Sequence, residues 1–478
     1  MRGGHLLINQ SEARKNMQNN HTIAAIATGE GGAIAVIRVS GPDAITICDK
    51  IFLGVNGREL HSQEGYSLLY GTIEPTEGEI LDDVLVSVFR APMSYTGENM
   101  VEISCHGSAY IKQEIMRLLI EAGAKPAGPG EFTLKAFLNG KLDLAQAEAV
   151  ADLIASDSRG AHDLAVYQMR GGYSDEFRAL RQQLIDLAAL LELELDFGEE
   201  DVEFADRKQI EALMDKLAAR IGSLKDSYAW GNVIKNGIPV AIIGSPNVGK
   251  STLLNALLKE DKAMVSDIPG TTRDVIEDVM NIKGIQFRFI DTAGIRYTDD
   301  TLEMMGIERT FKRITNASVI LFVAEVTQSV QEIESQLKSI DWQPRQHTVI
   351  LLNKMDKAED STQKLKKELE QATGLPVFLI SAKSGDNLDE LTDHLYGLAG
   401  KAPESSDVIV TNARHYEALS EAYTAIGRAK SALEARHTGD LLAEDVRDVI
   451  HHVGTVTGDT PTSEDVLHAI FSRHCIGK

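Results

Sequence analysis

The sequence predicts a multidomain chain of α/β and all-α parts: an N-terminal α/β domain, a helical domain split in sequence, and a mostly parallel α/β domain inserted into the helical one. Three observations predict this. Between residues 238 and 396, apolar runs of strand length alternate with helical patterns, as in a parallel sheet covered by helices. On both sides of that block the apolar period is 3.6 residues. Closer to the N-terminus, β-branched runs return. At 478 residues the chain is long enough for about three or four domains.

Composition sets the outer limits. Hydrophobic residues make up 43% and charged residues 25%, which excludes a largely disordered chain. No apolar run is long enough for a transmembrane helix, so no membrane is expected. Lys plus Arg total 48 against 71 Asp plus Glu, a net charge of -23. A field of that sign repels nucleic acid, so an RNA partner must meet a local basic patch or be held by a second protein. Cys48, Cys105 and Cys475 lie far apart with no C-x-x-C pair, which argues against a disulfide framework or zinc site and fits a reducing cytoplasm.

Taken in order, residues 1–20 read as a polar tail with no assigned function. Residues 21–140 form the N-terminal domain. Ala33–Val39 and Asp83–Phe89 have strand length and β-branching, and Ile111–Leu119 is an apolar helix ended near Gly123. Residues 141–234 are the first helical part. Phe177, Leu180, Leu184, Leu187, Leu191 and Leu195 share one helix face, and Ile210, Leu213, Leu217, Ile221, Leu224 and Tyr228 another. The acidic run after Gly198 separates them as a solvated loop. Residues 235–400 are the inserted domain, with strands expected at Val240–Gly244, Phe287–Asp291, Ser318–Val326, Thr348–Asn353 and Val377–Ile380. Residues 401–478 return to helix, with Tyr416, Leu419, Tyr423, Ile426 and Leu433 in step, and end in a Cys-Ile-Gly-Lys tail.

The chemistry begins at Gly244-Ser245-Pro246-Asn247-Val248-Gly249-Lys250-Ser251, a G-x-x-x-x-G-K-[ST] loop between an apolar strand and the helix opened by Thr252. Glycines let backbone N–H groups wrap phosphates, Lys250 adds a cation, and Ser251 offers a hydroxyl to magnesium. Asp291-Thr292-Ala293-Gly294 ends a second strand, where a carboxylate holds magnesium through water and an N–H senses the γ-phosphate. Asn353-Lys354-Met355-Asp356 ends a third, and a carboxylate there takes the N1–H and N2–H of guanine. Ser381-Ala382-Lys383 ends the next and suits guanine O6. Four such elements in this order predict a Ras-like P-loop GTPase domain. The order resembles the translation-factor class of GTPases. In that light Gly270-Thr271-Thr272-Arg273-Asp274 is the first switch, with Thr272 a second magnesium hydroxyl. Ile295 stands where Ras-like members carry a water-orienting glutamine, so another group must align water. Asn247 fits a monovalent-cation ligand beside the phosphates, or simply a turn residue after Pro246.

The flanks resemble one family, the tRNA-modification GTPases MnmE (TrmE), over nearly all of residues 22–478. The resemblance rests on Gly31–Gly41, on Tyr95-Thr96-Gly97-Glu98-Asn99-Met100-Val101-Glu102, on Pro129–Ala149, and on Phe471-Ser472-Arg473-His474-Cys475-Ile476-Gly477-Lys478. It implies a homodimer whose N-terminal domains bind a tetrahydrofolate one-carbon donor, with Arg38, Glu102, Lys141 and Lys478 as folate contacts. It implies work with the flavoprotein MnmG, in a heterotetramer, that places an aminomethyl-type (carboxymethylaminomethyl) group on C5 of the wobble uridine of certain tRNAs. It implies GTP hydrolysis with Mg2+ and K+ in the cytoplasm, with the GTPase domains pairing across the dimer. Potassium falls to Asn247, Ser266, Ile268 and Thr271. The nucleotide site then runs through Asn247–Thr252 and Ser266-Asp267-Ile268-Pro269-Gly270-Thr271-Thr272. The water-orienting carboxylate falls to Glu303, with Glu308 the competitor that spacing alone does not separate. Cys475 takes a structural or catalytic role near the folate. The alternative is a ribosome-assembly or RNA-binding regulatory GTPase, which leaves the N-terminal domain and the tail unexplained.

Overall fold

The computed structural model describes residues 21–76, 78–197, 207–261, 278–290, 317–338, 346–357, 362–399, 408–435, 439–460, 467, 470–472, 474, 475 and 477. The chain divides into two compact units. The first comprises residues 1–155, 164–222 and 417–478, the second residues 156–163 and 223–416.

In the first unit, β1 (Ile23–Ile26), β2 (Ile34–Ser40), α1 (Ala44–Asp49), β3 (Phe52–Gly54), β4 (Ser67–Ile73), β5 (Asp82–Phe89), β6 (Met100–His106), α2 (Ala109–Glu121) and β7 (Lys125–Pro126) follow one another. The strands form one seven-stranded sheet in the order β3-β4-β5-β6-β2-β1-β7. It is antiparallel except where β7 joins β1. Strand side chains alternate between faces. Ile37, Val86 and Ile103 are fully buried in one core with Ile115 and Leu119 of α2. Arg38 and Glu102, one residue on or back from that core set, therefore stand on the opposite face.

Only two of these strands announce themselves as β-branched runs. β4 carries Gly71 and an exposed Tyr70, and β6 alternates Glu102 and Ser104 with Ile103 and Cys105, so each buries one face only.

The helices that follow are α3 (Glu131–Leu138), α4 (Leu144–Ala155), α5 (Arg159–Met169), α6 (Gly172–Phe197) and α7 (Arg207–Asn236). The α6 stripe is buried as its period demands, with Phe177, Leu180, Leu184 and Leu187 each no more than 3% exposed. In α7 it is Met214 that is fully buried, while Leu213 is only half-buried.

The second unit holds a six-stranded sheet. Its elements are β8 (Ile238–Ile243), α8 (Lys250–Asp261), β9 (Asp278–Ile282), β10 (Ile285–Phe289), β11 (Val319–Glu325), α9 (Val330–Lys338), β12 (His347–Asn353), α10 (Thr362–Thr373), β13 (Val377–Leu379) and α11 (Leu388–Leu398). Strand order is β13-β12-β11-β8-β10-β9, and every pairing is parallel except β10 with β9. Both faces are covered. Val240, Leu321 and Leu351 pack on Leu253 and Leu257 of α8, and Ile320, Phe322, Ile350 and Leu352 pack on Ile333 and Leu369. That explains why β8, β11 and β12 read as continuous apolar runs. β9 escaped the sequence reading because it is a short edge strand whose Asp278 and Asn281 interrupt the apolar pattern.

Beyond residue 407 come α12 (Ala413–Glu434) and α13 (Gly439–Thr457), the latter packed along α6. Leu419, Ile426 and Leu433 are buried on α12 as expected, but Tyr416 and Tyr423 are 38% and 43% exposed. Ala422, Ala425 and Ala429 are buried on the same helix.

Candidate functional site

The described nucleotide loops lie at the carboxyl ends of three parallel strands, β8, β12 and β13, the edge where open α/β sheets bind ligands. β8 ends at Ile243, and the loop from Gly244 runs into α8 at Lys250. Two glycines are required by the fold. Gly244 has φ +147 and a Cβ there would stand 2.2 Å from the Val323 carbonyl oxygen; Gly249 has φ +100 and a Cβ would meet Asn353 Nδ2 at 2.3 Å. Asn247 also has a left-handed φ of +63, a conformation asparagine tolerates, and its side chain is exposed. Val248 is buried, anchoring the loop to the core beneath. Lys250 Nζ donates to the carbonyls of Gly244 and Ser245, both at 2.8 Å, holding the cation on the loop. Ser251 is half-buried in the first turn of α8 and Thr252 is exposed beside it.

Asn353 joins three loops. It is 2% exposed; its Nδ2 donates to Val248 O at 2.8 Å and its Oδ1 accepts from the Ala382 N–H at 2.9 Å. The Asn353–Asp356 turn, the phosphate loop and the Ser381–Lys383 turn are thereby fixed to one another. Ser381 is fully buried and donates from Oγ to Asp356 Oδ1 at 2.9 Å, aiming that exposed carboxylate. Lys383 is exposed. Lys354 adopts φ +68 and pairs with Glu325 Oε2 at 2.7 Å. Glu325 carried no sequence signal; it is found only through the register that sets it beside Asn353.

The structure brings together a second group on the first unit's sheet. Arg38 and Glu102 are direct cross-strand partners. Arg38 Nε and Nη2 both donate to Glu102 Oε1, at 2.9 and 2.8 Å, and Nη1 donates to the Gly477 carbonyl at 3.1 Å. The guanidinium also lies over the rings of Tyr95 and Phe132, at 5.4 and 5.7 Å. Arg38 and Glu102 line a cavity of about 440 Å³ with Tyr66, Phe89, Tyr95 and an apolar wall of α4 that includes Ile154.

Burial holds the Tyr95 phenol above its usual range, against the opposing pull of its hydrogen bond with Thr133 (2.8 Å) and of Arg38, so it remains an O–H group. The sequence reading missed Tyr66 and the helical wall. The sequence carries no signal for Tyr66; only the structure shows it as a bulky residue at φ +64, a strained conformation.

Lys141 is not drawn into this cavity; its ammonium donates to the Pro92 carbonyl at 3.2 Å on the surface. Lys478 lies outside the described residues, although Gly477 before it is buried. Ser266, Asp267, Ile268, Pro269, Gly270, Thr271, Thr272, Asp291, Thr292, Ala293, Gly294, Ile295, Glu303 and Glu308 also lie outside them. Among the described residues, no helix is long and apolar enough to cross a membrane.

A G-x-x-x-x-G-K-S loop, an N-K-x-D turn and an S-A-K turn, tied together by Asn353 at one edge of a parallel sheet, define a P-loop GTPase. The flanking parts specify which kind. A family model described as the GTP-binding protein TrmE N-terminus matches residues 22–141, and one described as the MnmE helical domain matches residues 144–475. The chain belongs to the MnmE (TrmE) family. It is 51% identical over 469 residues to the tRNA modification GTPase MnmE of Bacteroides fragilis, covering 96% of this chain and 100% of that one. To the protein of the same name from Christiangramia forsetii it is 49% identical over 476 residues, 97% of this chain and 100% of that one. Among solved structures, the G domain of the T. maritima FeoB iron transporter matches at 26% identity, covering 34% of this chain and 99% of that chain, with a TM-score of 0.25.

Proposed function

We propose that this chain is a tRNA-modifying GTPase that works with the flavoprotein MnmG. Together they place an aminomethyl-type (carboxymethylaminomethyl) group on C5 of the wobble uridine of certain tRNAs, taking the carbon from a tetrahydrofolate donor. The observation that carries this reading is the aromatic-lined cavity at Arg38 and Glu102, in the same chain as a guanine-nucleotide site. The reading as a regulatory GTPase of ribosome assembly leaves that cavity unexplained.

The cavity suits a reduced folate. Arg38 Nε and Nη2 both meet Glu102 Oε1, which orients the carboxylate. Among the described residues no partner is found for Oε2, which is left to accept the amidine-like donor edge of a pterin. Tyr66, Phe89 and Tyr95 supply flat apolar surface for the ring. Lys141, which stands outside the cavity, and Lys478 serve the anionic tail of the donor.

At the nucleotide site, Asp356 accepts from guanine N1–H and N2–H, and Ser381 holds that carboxylate in place. Lys250 and the N–H groups at the start of α8 meet the phosphates. The donor set suits a hard cation: the Ser251 and Thr272 hydroxyls would hold magnesium, which neutralises charge developing on the phosphates. Asn247, Ser266, Ile268 and Thr271 would hold potassium, and Glu303 orients the attacking water. Two chains pair as a homodimer in the cytoplasm, with limits at about residues 21–140, 141–234, 235–400 and 401–478 for the successive domain parts. With a net charge of -23, tRNA is met by a local basic surface or by MnmG.

Nucleoside mass spectrometry of tRNA from cells lacking this chain tests the reading. The expected result is loss of the C5-modified wobble uridine; unchanged wobble uridines overturn it.

A further inference from the structure

The lysine of the N-K-x-D turn is not left to solvent. Lys354 Nζ lies 2.7 Å from Glu325 Oε2, and both side chains are about three-quarters buried, at 24% and 25% exposure. Glu325 is the last residue of β11 and the direct ladder partner of Asn353, the residue before Lys354. Its backbone is held on every side. Its N–H donates to Gln328 Oε1 at 2.9 Å, its carbonyl accepts from the Gln328 N–H at 3.0 Å, and the next N–H, of Val326, donates to the Asn353 carbonyl at 3.2 Å. The stem of the side chain therefore starts from a fixed backbone, and its carboxylate meets Lys354.

We propose that Glu325 is a positioning residue for guanine-nucleotide binding, acting through Lys354. The inference rests on the reading of this edge as a guanine-nucleotide site. Asp356, two residues beyond Lys354, reads the edge of the base, so the Lys354 side chain stands where the base must lie. A free lysine stem samples many rotamers, and a flat base that lay on it would have to freeze them on binding. The ion pair freezes the stem beforehand and leaves its four carbons as one wall for the purine. It also neutralises the ammonium, so that the uncharged base meets alkyl surface rather than an uncompensated charge. Glu325 touches no ligand in this arrangement. Because its effect is felt at the base and not at the γ-phosphate, it strengthens GTP and GDP binding equally and does not change the chemical step.

The test measures affinities of fluorescent GDP and GTP analogues, and steady-state hydrolysis, on the full chain. Four proteins are compared: wild type, Glu325→Gln, Lys354→Met, and the double variant. Glu325→Gln is expected to weaken both nucleotides about three- to tenfold, as for a partly buried ion pair, and to raise KM by the same factor with kcat held within about twofold. Lys354→Met keeps the stem and removes the ammonium, so adding Glu325→Gln to it should cost almost nothing further. Glu325→Asp, which keeps the charge, should recover part of the lost affinity. Additive losses, unchanged affinity in Glu325→Gln, or a fall in kcat with affinity retained overturns the proposal. If the wild type shows no preference for guanine over adenine nucleotides, the reading of the site falls, and the proposal with it.

Discussion

Arg38 donates a hydrogen bond to the backbone carbonyl of Gly477, 439 positions further along the chain. The C-terminal tail is thus part of the N-terminal site. Gly477 has φ +95, and a Cβ there would stand 2.7 Å from the Ile26 carbonyl oxygen. Gly477→Ala is therefore expected to displace Gly477, raise amide exchange at residues 470–472, 474, 475 and 477, and weaken reduced-folate binding. GTP hydrolysis, served by the other unit, should be unaffected. Folate affinity equal to wild type in that variant would show the tail to be a bystander.

Glu102→Ala removes the carboxylate that Arg38 orients. A hydrogen bond to a charged group contributes about 1.5–3 kcal/mol, so tetrahydrofolate affinity should fall about ten- to a hundredfold. Calorimetric titration beside a GTPase assay separates the outcomes. Loss of folding and GTPase activity together would mark Glu102 as a structural charge.

Asp356→Asn exchanges an acceptor for a donor at the base edge while Ser381 still reaches the side-chain oxygen. Preference should move from guanine towards xanthine nucleotides. Competition binding of GTP, ATP and XTP reads this directly, and equal competition by ATP in the wild type would refute the assignment.

Glu303→Ala should leave GTP binding nearly intact and slow hydrolysis about a hundredfold or more, with Glu308→Ala as the control. A loss confined to the Glu308 variant reverses the two roles. Exchanging potassium for sodium at fixed magnesium should slow the wild type, and equal rates would remove the monovalent cation from the mechanism.

The three thiols should differ sharply in reactivity. Burial, then the nearby Asp49 charge, pushes Cys48 far above its usual range; burial, then Asp82, pushes Cys105 up to about 11. Since the thiolate is the reactive form, neither should react at neutral pH in the folded chain. Cys475 is free and exposed. One equivalent of a thiol reagent should react quickly and three after unfolding; two fast equivalents in the native chain would contradict the buried placements.

How much of this was legible in the sequence follows from distance along the chain. The phosphate loop was readable because its chemistry is contiguous: the eight residues from Gly244 to Ser251 carry the glycines, the cation and the hydroxyl that the turn itself requires. The apolar strands β8, β11 and β12 were readable because both their faces are buried, which leaves unbroken runs. The half-buried strands β4 and β6 were obscure, since their polar alternation resembles loop. Tyr416 and Tyr423 were placed inward by period alone, whereas the buried positions of that helix also include Ala422, Ala425 and Ala429, which an apolar period does not single out.

By itself, then, the sequence determined the fold class, the order of the nucleotide loops and the family, because local periodicity and contiguous motifs encode them. Only the tertiary structure decided that Asn353 ties the phosphate loop to the Ser381–Lys383 turn, that Glu325 holds Lys354, and that Arg38 joins Glu102 to Gly477 while Lys141 stands apart. Each of those relations is a hydrogen bond between residues tens to hundreds of positions apart. Strand register and the return path of the chain set such bonds, and no local pattern records either.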